Sequence, residues 1–180
     1  MKQHDGPDVS AACIDPSLVS RASDAVCRLR ALGLTVVTAE SCTAGLIASV
    51  LSQADGAGDV LHGAFVTYSK AQKCAGLGVL SELLEREGSV NEAVACALAD
   101  GALARSPAGV ALSVTGVLGP DPDEDGNPVG LVYLCCKRRG TPERIAHCEF
   151  GRQPPDILRR RTVCAALDLL VAQDLSSIEI

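Results

Sequence analysis

The sequence predicts an α/β fold, a single-domain layered α/β/α sandwich in which helices cover a central mixed sheet. Short β-branched runs, such as residues 34–39, alternate with longer segments whose apolar residues recur at helical spacing, as in 16–32. The 180 residues suit one hydrophobic core, and no linker or internal repeat divides them. We therefore expect one domain over 16–175, preceded by a flexible N-terminal arm over 1–15.

The first half of the chain contains two predicted strands, and each leads into a helix. Pro16 opens the first helix, and Gly33 is a suitable residue to end it. In order, the predicted elements are a helix over 16–32, a strand over 34–39, a turn over 40–43, a helix over 43–51, a loop over 55–58, a strand over 61–68 and helices over 69–77 and 81–87.

The second half contains three further strands between two helices. Asn91 is suited to cap a helix that runs to Arg105, and Gly, Pro and Asp concentrate in a loop over 116–127. In order, the predicted elements are a helix over 91–105, strands over 110–115, 129–136 and 145–150, and a last helix over 155–172.

Composition excludes several classes of partner. The formal net charge of -6 disfavours binding to a nucleic-acid backbone. No apolar run is long enough to span a bilayer, and the polar N-terminus lacks the core of a signal peptide, so we expect no membrane partner and a cytoplasmic location. The nine cysteines form no CxxC pair and no Cys/His cluster with zinc spacing, so we expect neither a disulfide framework nor a metal.

The first candidate site is the segment TAESCTAG over 38–45, at the junction of a predicted strand and helix. A hydroxyl from Ser41 or Thr43 can attack a carbonyl there, while main-chain N–H groups at the helix start hold the oxyanion. Ala44 and Gly45 are small enough to let a ligand approach the backbone. From these residues alone, simple capping of the helix by Ser41 and Thr43 remains an alternative.

The second candidate is FVTYSKAQK over 65–73, where a lysine close to a serine can act as its base. Tyr68 is followed by Lys70 and Lys73, and the residues leave open which lysine, if either, is involved. The third is SVTGVLGP over 113–120, followed by four acidic residues. Their spacing is not that of a calcium loop, so a solvated turn explains them.

The fourth candidate is the run Arg159, Arg160 and Arg161 in the last helix. Successive helical residues point about 100° apart, so these three cannot share one face. One arginine can turn inward to bind a phosphate, for which its forked donors are suited.

Four segments in this order, AESCTAGL, FVTYSKAQK, SVTGVLGP and NPVGLVY, resemble the nicotinamide-nucleotide amidases, also known as the C-terminal domain family of competence-damage-inducible protein A. The resemblance covers about Leu18 to Leu170. It implies an enzyme that hydrolyses the carboxamide of nicotinamide mononucleotide to nicotinate mononucleotide and ammonia. It also implies a small-molecule substrate, no cofactor and assembly into homo-oligomers.

The resemblance assigns roles to the candidate residues. Ser41 is the nucleophile, and Lys73, which has the family's five-residue spacing from Tyr68, takes its proton directly or through Tyr68. The implied catalytic residues are thus Ser41, Tyr68 and Lys73. The predicted substrate-binding residues are Thr43, Gly45, Thr115, Gly116 and Arg159, with Arg159 facing the phosphate.

The chain departs from the family pattern in three places. Ala44 stands where a glycine is usual, the loop after Pro120 is acidic rather than glycine-rich, and 153–155 replaces a Gly-Asp-Arg turn. Two other hypotheses therefore accompany the enzyme: a non-catalytic nucleotide-binding module, and a structural subunit with vestigial pockets.

Overall fold

A five-stranded mixed sheet forms the centre of the protein, and the computed structural model describes residues 14–172. The strands are β1 (Val36–Glu40), β2 (Leu61–Val66), β3 (Val110–Gly116), β4 (Leu131–Arg138) and β5 (Arg144–Glu149). Their order is β2-β1-β3-β4-β5; β1 runs parallel to both β2 and β3, whereas β4 is antiparallel to β3 and β5 is antiparallel to β4.

Helices cover both faces of this sheet, which confirms the predicted α/β/α sandwich. They are α1 (Pro16–Ala31), α2 (Leu46–Leu51), α3 (Ala57–Val60), α4 (Lys70–Leu77), α5 (Ser81–Glu87), α6 (Glu92–Ala104) and α7 (Pro155–Ala172). Alternate residues of a strand point to opposite faces. Val36 thus packs with α1, α2, α3 and α7, whereas Val37 packs with α4, α5 and α6.

Small side chains let the helices approach the sheet and one another closely. All five residues of β1 are buried, and seven buried residues of α6 are only Ala, Val, Leu and Gly. A Cβ at Gly101 of α6 would lie 2.1 Å from the main-chain oxygen of Leu77, at the end of α4. The contact between α4 and α6 therefore requires a glycine there.

The structure differs from the sequence predictions mainly at two turns. The predicted loop over 55–58 is partly wrong, because α3 begins at Ala57 after Gly56, which has a φ of 80°. The helix predicted from residue 43 begins only at Leu46, because Ala44 and Gly45 have left-handed φ values of 53° and 94°. Strand ends differ from the predicted ends by no more than two residues.

Most of the predicted arm, residues 1–13, lies outside the described residues, as do 173–175 of the predicted domain. The last residue of the arm is part of the fold, however. Asp15 caps α1 by accepting a hydrogen bond from the Ser17 main-chain N–H at 2.8 Å, and it pairs with Arg160 of α7 at 2.6 Å. Within 14–172, no helix combines the length and apolar character needed to cross a membrane.

Candidate active site

A cleft of about 640 Å³ opens where β1, β2 and β3 end. The carboxyl ends of parallel strands meet at one edge of a sheet, which is where α/β folds usually bind ligands. Ser41 follows β1, Tyr68 follows β2, and Gly116 ends β3. The other side of the cleft is formed by the acidic loop, defined as residues 121–125, and by Arg159 of α7.

The central contact in this cleft joins Ser41 and Lys73. The Lys73 Nζ lies 2.8 Å from the Ser41 Oγ, and its two other partners are the main-chain oxygens of Thr67, at 3.1 Å, and Tyr68, at 3.4 Å. Carbonyl oxygens only accept hydrogen bonds. A charged Lys73 donates to all three oxygens, Ser41 Oγ included. When the amine is neutral, it can keep both carbonyl partners with its two N–H groups and turn its lone pair to the Ser41 hydroxyl.

Burial favours the neutral form of this amine. Lys73 is only 1% exposed, and this desolvation lowers its pKa below the ordinary value for lysine; the charge of Lys70 lowers it further, and the effect of Cys42 opposes both. Lys70 itself pairs with Glu124 at 2.8 Å and Asp125 at 2.9 Å, and these partners raise its pKa. The lysine in contact with Ser41 is thus Lys73, while Lys70 holds the acidic loop.

Cys42, which also lines the cleft, lacks the properties of an activated nucleophile. Burial raises the pKa of its thiol to about 12, despite nearby N–H groups and the charge of Lys73. The thiolate is the nucleophilic form of cysteine, so a thiol with this pKa is inert near neutral pH. Of these two adjacent residues, Ser41 is the one whose side chain is hydrogen-bonded to the Lys73 amine.

Glu40 is a residue of the site that our sequence reasoning missed. Its side chain is fully buried and accepts five hydrogen bonds. Oε1 accepts from the Thr38 hydroxyl at 3.0 Å and from the Ala48 N–H at 2.9 Å. Oε2 accepts from the Thr43 hydroxyl at 2.7 Å and from the Gly45 and Ile47 N–H groups, both at 3.0 Å. A carboxylate directly before a helix start was the signal that could have identified it.

This arrangement contradicts the expectation that the N–H groups at the helix start hold an oxyanion. Three of these groups already donate to Glu40. Thr43 and Gly45, both predicted to bind substrate, are also directed at Glu40 and do not line the cleft. Their role in the structure is to fix the turn that carries Ser41.

Thr115 and Gly116 line the cleft, and their role in substrate binding stays a prediction. The Thr115 hydroxyl donates to the main-chain oxygen of Ser89 at 2.7 Å, so it is already bonded. A Cβ at Gly116 would lie 2.7 Å from the main-chain oxygen of Leu131. The close approach of β4 is therefore sufficient reason for this glycine.

The three arginines of α7 point in different directions, as helical geometry requires. Arg159 lines the cleft, and among residues 14–172 it has no hydrogen-bond or ion-pair partner. Arg160 binds Asp15 and Ser17, whereas the Arg161 guanidinium carbon lies 4.5 Å above the centre of the Phe150 ring. Of the three, Arg159 alone is placed to meet a ligand.

The acidic loop binds residues of the protein itself. Asp123 accepts hydrogen bonds from both nitrogens of Asn127, at 2.8 and 2.9 Å, and Glu124 and Asp125 pair with Lys70. In the described part of the chain, no group of three or more His, Cys, Asp or Glu side chains is arranged to hold a metal ion.

Comparison with known proteins relates this site to a family. The CinA C-terminal domain family matches residues 19–173. "Nicotinamide-nucleotide amidohydrolase PncC" of Escherichia coli strain K12 is 38% identical over 83% of this chain and 90% of its own length. A "CinA-like protein" of Akkermansia muciniphila is 41% identical over 79% of this chain, but the matched part is only 34% of that protein. The chain thus spans about a third of that longer relative.

Solved structures have the same fold. Competence/damage inducible protein CihA from Agrobacterium tumefaciens has a TM-score of 0.85 and 37% identity, over 89% of this chain and 98% of that one. A competence-damaged protein (CinA) superfamily protein from Escherichia coli has a TM-score of 0.82 and 32% identity, over 92% and 98%. By sequence and by fold, this chain belongs to the CinA C-terminal domain family.

Proposed function

We propose that this protein hydrolyses the carboxamide of nicotinamide mononucleotide to nicotinate mononucleotide and ammonia. The observation that carries the proposal is the 2.8 Å contact between the Ser41 hydroxyl and a buried lysine amine whose pKa is lowered by burial. A nucleophile with an adjacent base is what amide hydrolysis through an acyl-enzyme needs. The name of the 38% identical Escherichia coli relative supports the same reaction and substrate.

In the first half of the proposed reaction, the Ser41 Oγ attacks the carboxamide carbon and its proton passes to the Lys73 Nζ. The resulting ammonium is stabilised by the carbonyls of Thr67 and Tyr68, which already face Nζ. Lys73 then returns the proton to the amide nitrogen as the C–N bond breaks. Ammonia leaves, and the acyl group remains on Ser41 as an ester.

In the second half, water hydrolyses this ester. Lys73, neutral again, takes a proton from the attacking water and returns it to the Ser41 oxygen as the acyl–oxygen bond breaks. Nicotinate mononucleotide is released. In this proposal the proton passes directly between Ser41 and Lys73. Lys73 contacts the main-chain oxygen of Tyr68, whereas the Tyr68 hydroxyl has no hydrogen bond to Lys73.

The oxyanion needs a donor other than the start of α2. We assign this role to the main-chain N–H of Cys42, the residue after the nucleophile, which has no main-chain oxygen acceptor among residues 14–172 and is bonded there only to its own thiol. The N–H following a nucleophilic serine serves this purpose in other hydrolases. In the same proposal Arg159, which lines the cleft and has no ion-pair partner among residues 14–172, binds the phosphate.

The experiment is ammonia release from nicotinamide mononucleotide by the purified protein in EDTA, with Ser41→Ala and Ser49→Ala in parallel. Ser49 is exposed on α2, outside the cleft, so it controls for loss of a serine hydroxyl near the site. We expect release by the parent and by Ser49→Ala, and none by a folded Ser41→Ala. Hydroxylamine added during turnover should trap the acyl group as a hydroxamate.

Either of two results would contradict the proposal. Release by Ser41→Ala would remove the serine from its assigned role. Binding of the mononucleotide by a folded parent that releases no ammonia would favour the non-catalytic binding module. Homo-oligomer formation stays a prediction, which the molecular mass in solution tests.

A further inference from the structure

Aromatic side chains are rare in this protein, and one of them is exposed. The chain contains two Phe, two Tyr and no Trp. Phe65, Tyr133 and Phe150 pack against the two core clusters, and the Tyr133 ring stacks on His147 with centroids 4.7 Å apart. Tyr68 is 71% exposed. Exposure of a single side chain needs no explanation by itself, so what matters is where Tyr68 lies.

Tyr68 lies in the wall of the candidate active site. Tyr68 lines the cleft, and its main-chain oxygen is 3.4 Å from the Lys73 Nζ, which is itself 2.8 Å from the Ser41 Oγ. When the carbonyl carbon of a bound amide lies at the Ser41 Oγ, the group bonded to that carbon is within reach of the Tyr68 side chain. Lys73 is oriented by main-chain oxygens, so the Tyr68 ring is available for another purpose.

We propose that Tyr68 is a substrate-binding residue whose ring stacks on the planar, cationic ring that carries the scissile carboxamide. Aromatic rings stack favourably in offset geometry, and the negative face of a tyrosine ring attracts a cation such as a pyridinium. The substrate class is therefore an amide on a flat, preferably cationic, ring. This inference rests on the proposed function and replaces the proton-transfer role that the family resemblance implied for Tyr68.

Steady-state kinetics separate stacking from proton transfer. We expect Tyr68→Ala to raise KM about 10-fold, the effect typical of losing one stacked ring, with a much smaller effect on kcat. Tyr68→Phe, which keeps the ring and removes the hydroxyl, should restore most of this loss. A kcat that falls about 100-fold or more in Tyr68→Phe with KM unchanged would overturn the proposal, as would an unaltered KM in Tyr68→Ala.

Tyrosine fluorescence gives a readout that does not depend on turnover. Because the chain has no Trp, Tyr133→Phe leaves Tyr68 as the only strong emitter, and Tyr133 lies outside the cleft lining. Titrating this variant with nicotinamide mononucleotide should quench the emission in a saturable way. The 1-methylnicotinamide cation should quench at a lower concentration than neutral benzamide, since both lack the ribose phosphate and only the former has a cationic ring.

The fluorescence titration and the ammonia-release assay together distinguish failure of the stacking role from failure of the proposed hydrolysis. Saturable quenching without ammonia release from the parent would support the stacking role of Tyr68 and contradict the proposed hydrolysis. Ammonia release without quenching would contradict the stacking role and leave the hydrolysis standing. A change in solution mass in Tyr68→Ala with an unchanged KM would instead assign Tyr68 to a contact between copies of the chain, and would overturn the proposal.

Discussion

Replacing Glu40 with alanine removes the acceptor of five hydrogen bonds from a fully buried position. The Thr38 and Thr43 hydroxyls can rotate to other partners, but three main-chain N–H groups at the start of α2 cannot. The turn between Glu40 and α2 carries the candidate nucleophile. We therefore expect the substitution to destabilise the fold and to loosen the site together.

The magnitude follows from the environment of the three N–H groups. A buried donor left unpaired costs about 1–3 kcal/mol. The Ile47 bond is buried, whereas those of Gly45 and Ala48 are partly accessible, so water can replace part of their loss. Allowing about 2 kcal/mol for the first and about 1 kcal/mol for each of the others gives about 4 kcal/mol of lost unfolding free energy.

Glu40→Gln is the matched variant. Its amide oxygen can take the place of Oε2 and keep three donors, while the Thr38 hydroxyl reverses to accept from the amide nitrogen. The Ala48 N–H then loses its acceptor, and the remaining bonds lose their charge assistance, so we expect a loss of about 1–2 kcal/mol.

Urea unfolding followed by far-UV circular dichroism measures both values, and amide hydrogen exchange at Ile47 and Ala48 reports the local effect. Equal losses in the two variants would refute the reasoning, since it makes the alanine variant worse by about 2–3 kcal/mol. A loss under about 1 kcal/mol in Glu40→Ala would show that the turn is held by something else.

Three further predictions concern the base, the ligand and the packing. Because burial lowers the pKa of Lys73, kcat/KM should rise with pH along a limb whose midpoint lies below 10.5, and Lys73→Met should abolish turnover. Arg159→Gln should raise KM for the mononucleotide about 10-fold or more, whereas the same change at Arg161, which covers Phe150, should not. In thermal unfolding, Gly101→Ala should cost more than about 2 kcal/mol through its clash with α4, whereas Gly58→Ala, with open space around its Cβ, should be neutral or stabilising.

Much of the fold could be predicted from the sequence because its local signals agree with one another. The sequence predicts Asn91 as an N-cap, and its side chain accepts from the Val94 N–H at 2.8 Å. The last helix has the predicted bounds, Pro155–Ala172. The turn after β1 was harder, because it depends on two left-handed residues, one of them Ala44, and alanine gives no sign of such a conformation.

The sequence predicts the position of the site where its residues follow the ends of predicted strands. Ser41, Tyr68, Lys73 and Arg159 do line one cleft, because the parallel strands end at the same edge and α7 returns beside them. Pattern reasoning failed at Glu40. Three of its five partners are main-chain N–H groups up to eight residues away, and these bonds form only when α2 folds back onto the end of β1. The spacing of side chains does not show such main-chain bonds, and the one available signal, a carboxylate just before a helix, does not identify the donors.

The orientation of the Lys73 amine by the main-chain oxygens of Thr67 and Tyr68 has a consequence for how such a protein can diversify. Every residue except proline brings the same main-chain atoms to a position, so exchanging the side chain at 68 leaves both acceptors in place. In the proposed reaction, therefore, separate atoms of Tyr68 serve reactivity and selectivity. Substitutions of the side chain at 68 can thus change which amides bind, while the orientation of the Lys73 amine stays the same.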